Sequence, residues 1–257
     1  MSKTKNETLK TLQNLRSIRN FSDKDISSED LEAILHSSVC AANASSRQSY
    51  SIVVVDDKEL LKQYFYGANK GLLFCVDYNR IIDMANHTKN DFEVVGPRAF
   101  VTGSTDTILV AQTATIAAKS LGIDSLFTNS VHRAPFADVY KAFNLPDKYC
   151  FPLIALCLGY PEEEPTFKKG RLKGPGVIHY NLYKRMDNKE MDELLKDYSV
   201  AENRLSNIPA AKLKENGFNH FLDWFYQAWS KRGFPQSLEE FYKILIKTGF
   251  FKKEQLK

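Results

Sequence analysis

Apolar residues recur every three or four positions along much of this chain, a spacing that predicts helices. The pattern covers residues 7–16, 60–66 and 137–143, and it also follows Ser27 and Ser28, either of which is a suitable helix N-cap. Residues 106–121 are apolar around so much of the helix surface that we expect this helix to be buried. Gly122 is expected to end it in the left-handed conformation.

Four segments have the composition of β-strands. Residues 151–158 form a continuous apolar run, which predicts a central strand covered on both faces. The other three strands are expected at residues 50–55, 72–76 and 125–127. Residues 41–49 favour a loop, and the polar residues 77–104 predict a long surface excursion. Because strands and helices do not alternate strictly, the predicted fold class is α+β.

The C-terminal part of the chain differs from the rest in its aromatic content. An aromatic stripe at helical spacing predicts a helix that Gly233-Phe234-Pro235 breaks, and a final helix is expected to end near Gly249. We therefore expect a main domain at residues 1–195 and an aromatic-rich helical extension at residues 196–257. The stripe consists of Phe221, Trp224, Phe225 and Trp229, and the final helix carries Phe241, Ile244 and Leu245.

The composition is that of an ordinary globular protein. The 257 residues are 43% apolar and 26% charged, with a net charge of +4. That charge is too small to argue for a nucleic-acid or membrane partner. No stretch reaches the roughly 20 apolar residues that a membrane helix needs. No apolar segment follows the N-terminal charges, so we expect no signal peptide. The four cysteines lack C-x-x-C and zinc-ligand spacing, so we expect reduced thiols in a cytoplasmic protein and no metal site.

The standard catalytic motifs are missing from the sequence. It contains no G-x-S-x-G elbow, no Walker A loop and no H-E-x-x-H pair, and Gly174-Pro175-Gly176 neither follows a strand nor completes a dinucleotide fingerprint. Basic and polar residues instead gather where apolar elements end, at 16–19, 43–48 and 168–171. Such groups suit a phosphorylated planar ligand. The residues alone nevertheless favour solvated turns with ordinary surface charges over a ligand site.

Four short sequence motifs favour the ligand site over solvated turns, because they follow one another in the order typical of a known family. The first is R-S-I-R-N-F at 16–21, and the second is A-A-N-A-S-S-R-Q-S-Y at 41–50, directly before a strand. The third is the apolar helix that ends in L-G-I at 121–123. The fourth is L-G-Y-P at 158–161, followed by K-G-R at 169–171. In this order and spacing the chain resembles the nitroreductase family of FMN enzymes over roughly residues 8–185.

The resemblance implies a phosphate-binding group drawn from both ends of this region. Arg16, Ser17, Lys169 and Arg171 would hold the FMN phosphate. Arg19 would lie nearer the ribityl chain and the pyrimidine, where its charge would face flavin N1 and C2=O.

The resemblance also implies contacts to the rest of the flavin. Asn43, Ser46 and Gln48 would hydrogen-bond the ribityl chain or the ring edge. Asn129 and Ser130 match the turn whose backbone N–H meets flavin N5 in the family. The main domain, residues 1–195, would then be the FMN-binding domain.

The implied fold is a mixed, mainly antiparallel sheet flanked by helices, in an intertwined homodimer with flavin sites between the subunits. The implied activity is a ping-pong reaction. NADH or NADPH would pass hydride through flavin N5 to an electron-poor small molecule such as a nitroaromatic or a quinone. The scheme needs no protein nucleophile, metal or general base, since the cofactor carries the redox chemistry.

Departures from the family pattern leave the substrate open. Ala42 replaces a common Pro, Asn43 a Ser and Ser46 an Asn, while Ser49-Tyr50 replaces Pro-Trp. Two alternatives therefore remain, a flavin-binding storage or sensor protein without turnover, and a family offshoot with other flavin chemistry such as reductive dehalogenation or flavin fragmentation. The C-terminal extension could cap the flavin site, wrap a partner subunit or cover its own subunit.

Overall fold

The computed structural model describes residues 6–94, 96–165, 169–172, 174–198, 208, 210–231 and 238–252. The chain forms two compact units. The first comprises residues 1–164 together with 235–257, and the second comprises residues 165–234. The functional division expected at residue 195 stays a prediction.

A four-stranded antiparallel sheet organises the first unit. Its strands are β1 (Tyr50–Val55), β2 (Lys70–Asp77), β3 (Asp124–Thr128) and β4 (Cys150–Gly159), in the order β1-β2-β4-β3. Outside the named strands, Ser17 makes one parallel bridge to Ser125 at the β3 edge. The position of β4 between β2 and β3 confirms the central strand that its apolar run predicts.

Helices cover both faces of this sheet, which confirms the α+β class. Leu72 and Phe74 of β2 face the core under α2 (Ser28–Ser38) and α5 (Gly96–Ser120). Leu73 and Cys75 face the core under α3 (Lys58–Tyr64) and α6 (Phe136–Ala142). The first unit also contains α1 (Glu7–Gln13), α4 (Asn79–His87) and α10 (Leu238–Lys247). The second unit contains α7 (Asn188–Asp197), α8 (Ala210–Glu215) and α9 (Phe221–Trp224).

The prediction of a long surface excursion at 77–104 is wrong. This segment contains α4 and the first nine residues of α5, which begins at Gly96 and not near residue 106. Gly96-Pro97 suggests an interruption of regular secondary structure. Proline is nevertheless compatible with the first turn of a helix, because the N–H groups of that turn have no acceptor within the helix. Ile81 and Ile82 pack one side of α4 against the apolar cluster around Tyr78.

Helix α5 lies close against β2 because it carries glycine at the contact. A Cβ atom on Gly103 would approach Val76 Cγ1 to 2.6 Å and the Ser49 carbonyl oxygen to 3.3 Å. The opposite side of the helix is exposed, so the expectation of a buried helix holds for one face only. Gly122 ends the helix with φ of +79°, as predicted. The exposed apolar residues of α5 are Val101, Ile108 and Leu109.

The aromatic stripe in the second unit forms two kinds of helix. Phe221–Trp224 is α-helical, and Phe225–Trp229 continues as a π-helical turn. The predicted break at 233–235 lies outside the described residues. Within the described parts of the chain, no helix combines the length and the apolarity that crossing a membrane requires. All four cysteines are free thiols, as expected.

Helix α10 returns to the first unit and closes an aromatic cluster around His132. The His132 ring lies 5.7 Å from the rings of Phe151 and Phe241 and 5.9 Å from that of Phe136. Its Nε2 is 2.8 Å from the Pro152 carbonyl oxygen, and because a carbonyl only accepts, Nε2 carries the proton. Burial lowers the pKa of His132, since a cation in this apolar cluster loses its hydration.

We predict that His132 makes the protein less stable as the pH falls below neutrality. The unfolded chain protonates this ring near pH 6.5, whereas the folded chain resists protonation until the pH is lower. The stability present above pH 6.5 is therefore lost as the pH falls through the folded pKa. Urea midpoints measured between about pH 8 and about pH 5.5 should fall less steeply for His132→Gln than for the natural chain. His36→Gln, at an exposed position of α2, should keep the natural slope, and equal slopes for all three proteins would contradict the prediction.

Candidate active site

The loop before β1 has an unusual backbone. Ser45, Ser46 and Gln48 have φ of +54°, +54° and +50°, a region that residues with a Cβ seldom adopt. Such a conformation persists only where surrounding contacts hold it. The loop therefore has a fixed shape, and the contacts that fix it come from two helices.

Asp106 of α5 is the first of these contacts. Its side chain is 1% exposed, and its two carboxylate oxygens accept hydrogen bonds from the backbone N–H groups of Ala44, at 2.9 Å, and Ser49, at 3.3 Å. Hydrogen bonds from backbone N–H groups to a charged acceptor are stronger than neutral ones. One buried carboxylate thus holds both ends of the loop against the core helix.

Arg80 of α4 is the second contact. Its Nη2 donates to the carbonyl oxygens of Arg47, at 2.6 Å, and Gln48, at 2.8 Å. Arg80 thus provides a donor for the Arg47 carbonyl and a second donor for the Gln48 carbonyl, which also accepts from the Tyr50 N–H at 2.8 Å. The loop is held by an anion on its N–H groups and by a cation on its C=O groups.

The predicted ligand residues of this loop differ in how free their side chains are. Asn43 Oδ1 accepts a hydrogen bond from the Gln48 N–H at 3.1 Å, and Gln48 Nε2 donates to the Tyr50 hydroxyl at 3.0 Å. Ser46 is exposed. The Asn43 amide nitrogen, the Gln48 amide oxygen and the Ser46 hydroxyl remain as groups that a polar ligand could meet.

Residues 17–22 lie across one end of the sheet. The Ile18 N–H donates to the Ser125 carbonyl at 3.1 Å, and the Ser22 N–H donates to the Tyr160 carbonyl at 2.9 Å. Asn69 Nδ2 donates to the Ser22 carbonyl at 2.9 Å. Ile18 is buried while Ser17 and Arg19 are exposed, so the segment presents the two predicted cofactor-binding side chains to solvent.

Arg16 belongs to a four-residue ion network. Its Nε and Nη2 donate to Asp124 Oδ2 at 2.8 and 2.5 Å, and its Nη1 and Nη2 donate to the Glu164 carboxylate at 2.7 and 3.2 Å. Lys119 Nζ lies 2.6 Å from Asp124 Oδ1. The hydrogen bonds from Arg16 lower the pKa of Glu164, and bonds to both carboxylates raise that of Arg16. A phosphate that approached Arg16 would have to compete with these carboxylates.

The turn after β3 contains Asn129 and Ser130. Both polar groups of Ser130 are engaged within the protein, since its N–H donates to Thr128 Oγ1 at 3.1 Å and its hydroxyl donates to the Tyr64 carbonyl. Asn129 is exposed, and its side chain does not cap the 3₁₀ turn that follows. Of the two residues, Asn129 is better placed to meet a ligand.

Lys169 and Arg171 belong to the second unit. Both are exposed, and Arg171 Nη1 donates to the carbonyl oxygens of Gly170, at 2.9 Å, and Lys169, at 3.2 Å. The other eight predicted site residues belong to the first unit. The ligand roles of all ten residues stay predictions.

Comparison with known proteins decides the family. The sequence model of the nitroreductase family matches residues 12–73. An FMN reductase [NAD(P)H] of Bacillus subtilis is 30% identical over 210 residues, which cover 75% of this chain and 83% of that protein. The chain belongs to the nitroreductase family.

Two further relatives extend this likeness to function and fold. An oxygen-insensitive NADPH nitroreductase of Salmonella typhimurium is 30% identical over 203 residues, covering 74% of this chain and 82% of the relative. The solved structure of the Bacillus megaterium protein NfrA2 is 30% identical, with a TM-score of 0.78, and covers 96% of this chain and all of that chain. The nitroreductase-like fold expected from the four sequence pieces is confirmed.

The residues that shape this nitroreductase site differ from those that the motifs predict to bind the ligand. Asp106 could have been found, because it places a charge on the apolar face of α5 between Gly103 and Val110. Arg80, Asp124 and Glu164 carry no such signal. Their long-range partners lie 32 to 148 positions away in the sequence. Asp124 also has a local partner, Lys119, five positions before it.

We predict that Asp106→Asn loosens the loop and lowers the free energy of unfolding by about 1–3 kcal/mol. The amide that replaces the carboxylate keeps one acceptor oxygen, but its NH₂ group then faces a backbone N–H. The measurement is urea unfolding, paired with amide hydrogen exchange at Ala44 and Ser49.

Asp91→Asn removes the same charge at an exposed position and should leave both readouts near those of the natural chain. The account of the loop would be wrong if the two variants lost equal stability or if exchange at Ala44 and Ser49 stayed slow in Asp106→Asn.

Proposed function

We propose that this protein is an FMN-dependent oxidoreductase that passes hydride from NADH or NADPH to an electron-poor small molecule. Membership of the nitroreductase family and relatives named as FMN reductase and NADPH nitroreductase support this function. The observation that carries it is the loop at 43–49, which Asp106 and Arg80 hold rigidly against the core. Rigid positioning of polar groups is what a site contributes when the bound cofactor performs the reaction.

The chemistry of the donor set fits FMN. Amide and hydroxyl groups of Asn43, Ser46 and Gln48 match the polyol chain and the pyrimidine edge of a flavin. In the second unit, the exposed cations Lys169 and Arg171 have the charge that a phosphate monoester needs, and in the first unit the exposed Ser17 hydroxyl is a neutral donor of the kind that phosphates accept from. When bound, FMN supplies hydride transfer at its N5 position.

The protein groups then have limited tasks. The 43–49 loop orients the ring and resists rearrangement, because its N–H and C=O groups are already bonded to Asp106 and Arg80. Arg19 supplies positive charge near the pyrimidine side of the ring, and Asn129 offers an exposed amide beyond β3. Reductant and acceptor would occupy the same site in turn, which predicts ping-pong kinetics.

The proposal predicts a yellow protein with measurable turnover. Purified protein incubated with FMN should retain the flavin through gel filtration, and it should oxidise NADH or NADPH when a quinone or a nitroaromatic is added. Double-reciprocal plots at several acceptor concentrations should be parallel.

Each failure of this experiment has a distinct meaning. A protein that stays colourless contradicts the flavin site itself. A yellow protein that oxidises neither reduced nicotinamide contradicts the reductase and favours a storage or sensor role. Intersecting plots contradict the shared site for reductant and acceptor.

We further propose that the protein acts as a homodimer through α5. Val101 and Ile108 are 64% and 53% exposed on one side of this helix, and exposed apolar side chains at helical spacing are typical of an interface. Pairing two copies through the same helix face would bury these side chains on both subunits in a symmetric contact.

Light scattering should give about twice the chain mass of 29.3 kDa. Ile108→Glu should reduce this toward one chain mass, because it would bury an unpaired charge in the interface. Ala137→Glu places the same side chain at an exposed position of α6, on the other face of the sheet, and should leave the dimer intact. A monomeric natural chain would contradict the proposal, as would an unchanged dimer in Ile108→Glu.

A further inference from the structure

Glu164 occupies the outer side of the Arg16 guanidinium. Nη1 and Nη2 of Arg16 donate to Oε2 and Oε1 of Glu164, respectively. Arginine binds phosphate in the same parallel geometry. The Glu164 side chain is 76% exposed, whereas the Asp124 side chain on the other side of Arg16 is 2% exposed. The network therefore has one fixed anion and one anion at the surface.

The charges in this network balance only while Glu164 is present. Lys119 and Arg16 supply two positive charges, and Asp124 and Glu164 supply two negative charges. A phosphate monoester carries about 1.5 to 2 negative charges near neutral pH. It would meet no net positive charge at Arg16 with Glu164 in place, and one positive charge after Glu164 has moved away.

The hydrogen-bond donors lead to the same result. A guanidinium has five N–H groups, and Arg16 makes four hydrogen bonds to the two carboxylates. When Glu164 leaves, one N–H of Nη1 and one N–H of Nη2 become free to donate to another anion on the outer side of Arg16. The bonds to Asp124 keep the guanidinium in place during the exchange, because the buried carboxylate holds Nε and Nη2.

We propose that Glu164 is an internal substitute for the FMN phosphate, which displaces it from Arg16 when the cofactor binds. The proposal rests on the proposed flavin function and assigns a regulator to the same site. It reconciles the ligand role expected for Arg16 with the carboxylates that hold this residue in the structure. Glu164 then weakens binding of the phosphorylated flavin selectively and limits binding of other anions at Arg16.

The test compares FMN with riboflavin, which has the same ring and ribityl chain but no phosphate. Dissociation constants for both are measured by flavin fluorescence on flavin-free natural protein, on Glu164→Gln and on Glu163→Gln. The last variant removes the same charge from the neighbouring exposed residue. Thermal unfolding of the three flavin-free proteins confirms that each is folded.

Glu164→Gln should bind FMN about two- to fivefold more tightly than the natural chain, the range that one exposed ion pair accounts for. Its affinity for riboflavin should be unchanged, and Glu163→Gln should affect both flavins little. In an Arg16→Lys background, where the paired N–H geometry is lost, Glu164→Gln should produce a smaller gain for FMN.

Any one of four results would overturn the proposal. FMN affinity in Glu164→Gln could equal or fall below that of Glu163→Gln, which would make Glu164 a purely structural partner. The gain could be the same for riboflavin, which would exclude the phosphate. Steady-state KM values for NADPH and NADH are measured on the same three proteins, and a gain in Glu164→Gln that appears only as a lower KM for NADPH would place the reductant's phosphate at Arg16. Natural protein that binds neither flavin would overturn the proposed function as well, whereas binding without the Glu164 effect would overturn this inference alone.

Discussion

The candidate site depends on one buried carboxylate. Asp106 stands on the core face of α5, where burying a charge is costly unless hydrogen bonds compensate it. The compensation comes from the N–H groups of Ala44 and Ser49, so the cost of burial is offset only when the loop has its observed shape. Packing of α5 against the sheet and the geometry of the polar loop are therefore coupled. The close approach of Gly103 to Val76 and Ser49 is the steric side of the same coupling.

A second electrostatic centre lies at the C-terminal end of α5. Asp124 begins β3 and joins Lys119, at the end of the helix, to Arg16 in the N-terminal segment. It thereby fixes the segment in which Ser17 and Arg19 are exposed. Both centres use a buried aspartate to order an irregular stretch of backbone. Irregular segments ordered by a rigid scaffold are where binding residues concentrate.

Sequence reasoning succeeds here where local pattern decides the structure. The apolar run of β4, the Ser27 N-cap and the left-handed Gly122 are all found, because each depends on a few adjacent residues. It fails at the start of α5, since Gly96-Pro97 is compatible with both a loop and a first helical turn. It also fails for Arg80 and Glu164, whose roles depend on partners distant in sequence.

The candidate ligand residues illustrate the same limit. The motif order identifies Asn43, Ser46 and Gln48, but no propensity predicts positive φ at two serines and a glutamine, because tertiary contacts impose it.

The most direct measurement is a crystal structure of the protein grown with FMN. Our account predicts flavin density against the 43–49 loop, with the bonds from Ala44 and Ser49 to Asp106 retained. Flavin bound away from this loop, or a loop that rebuilds around it, would contradict the account.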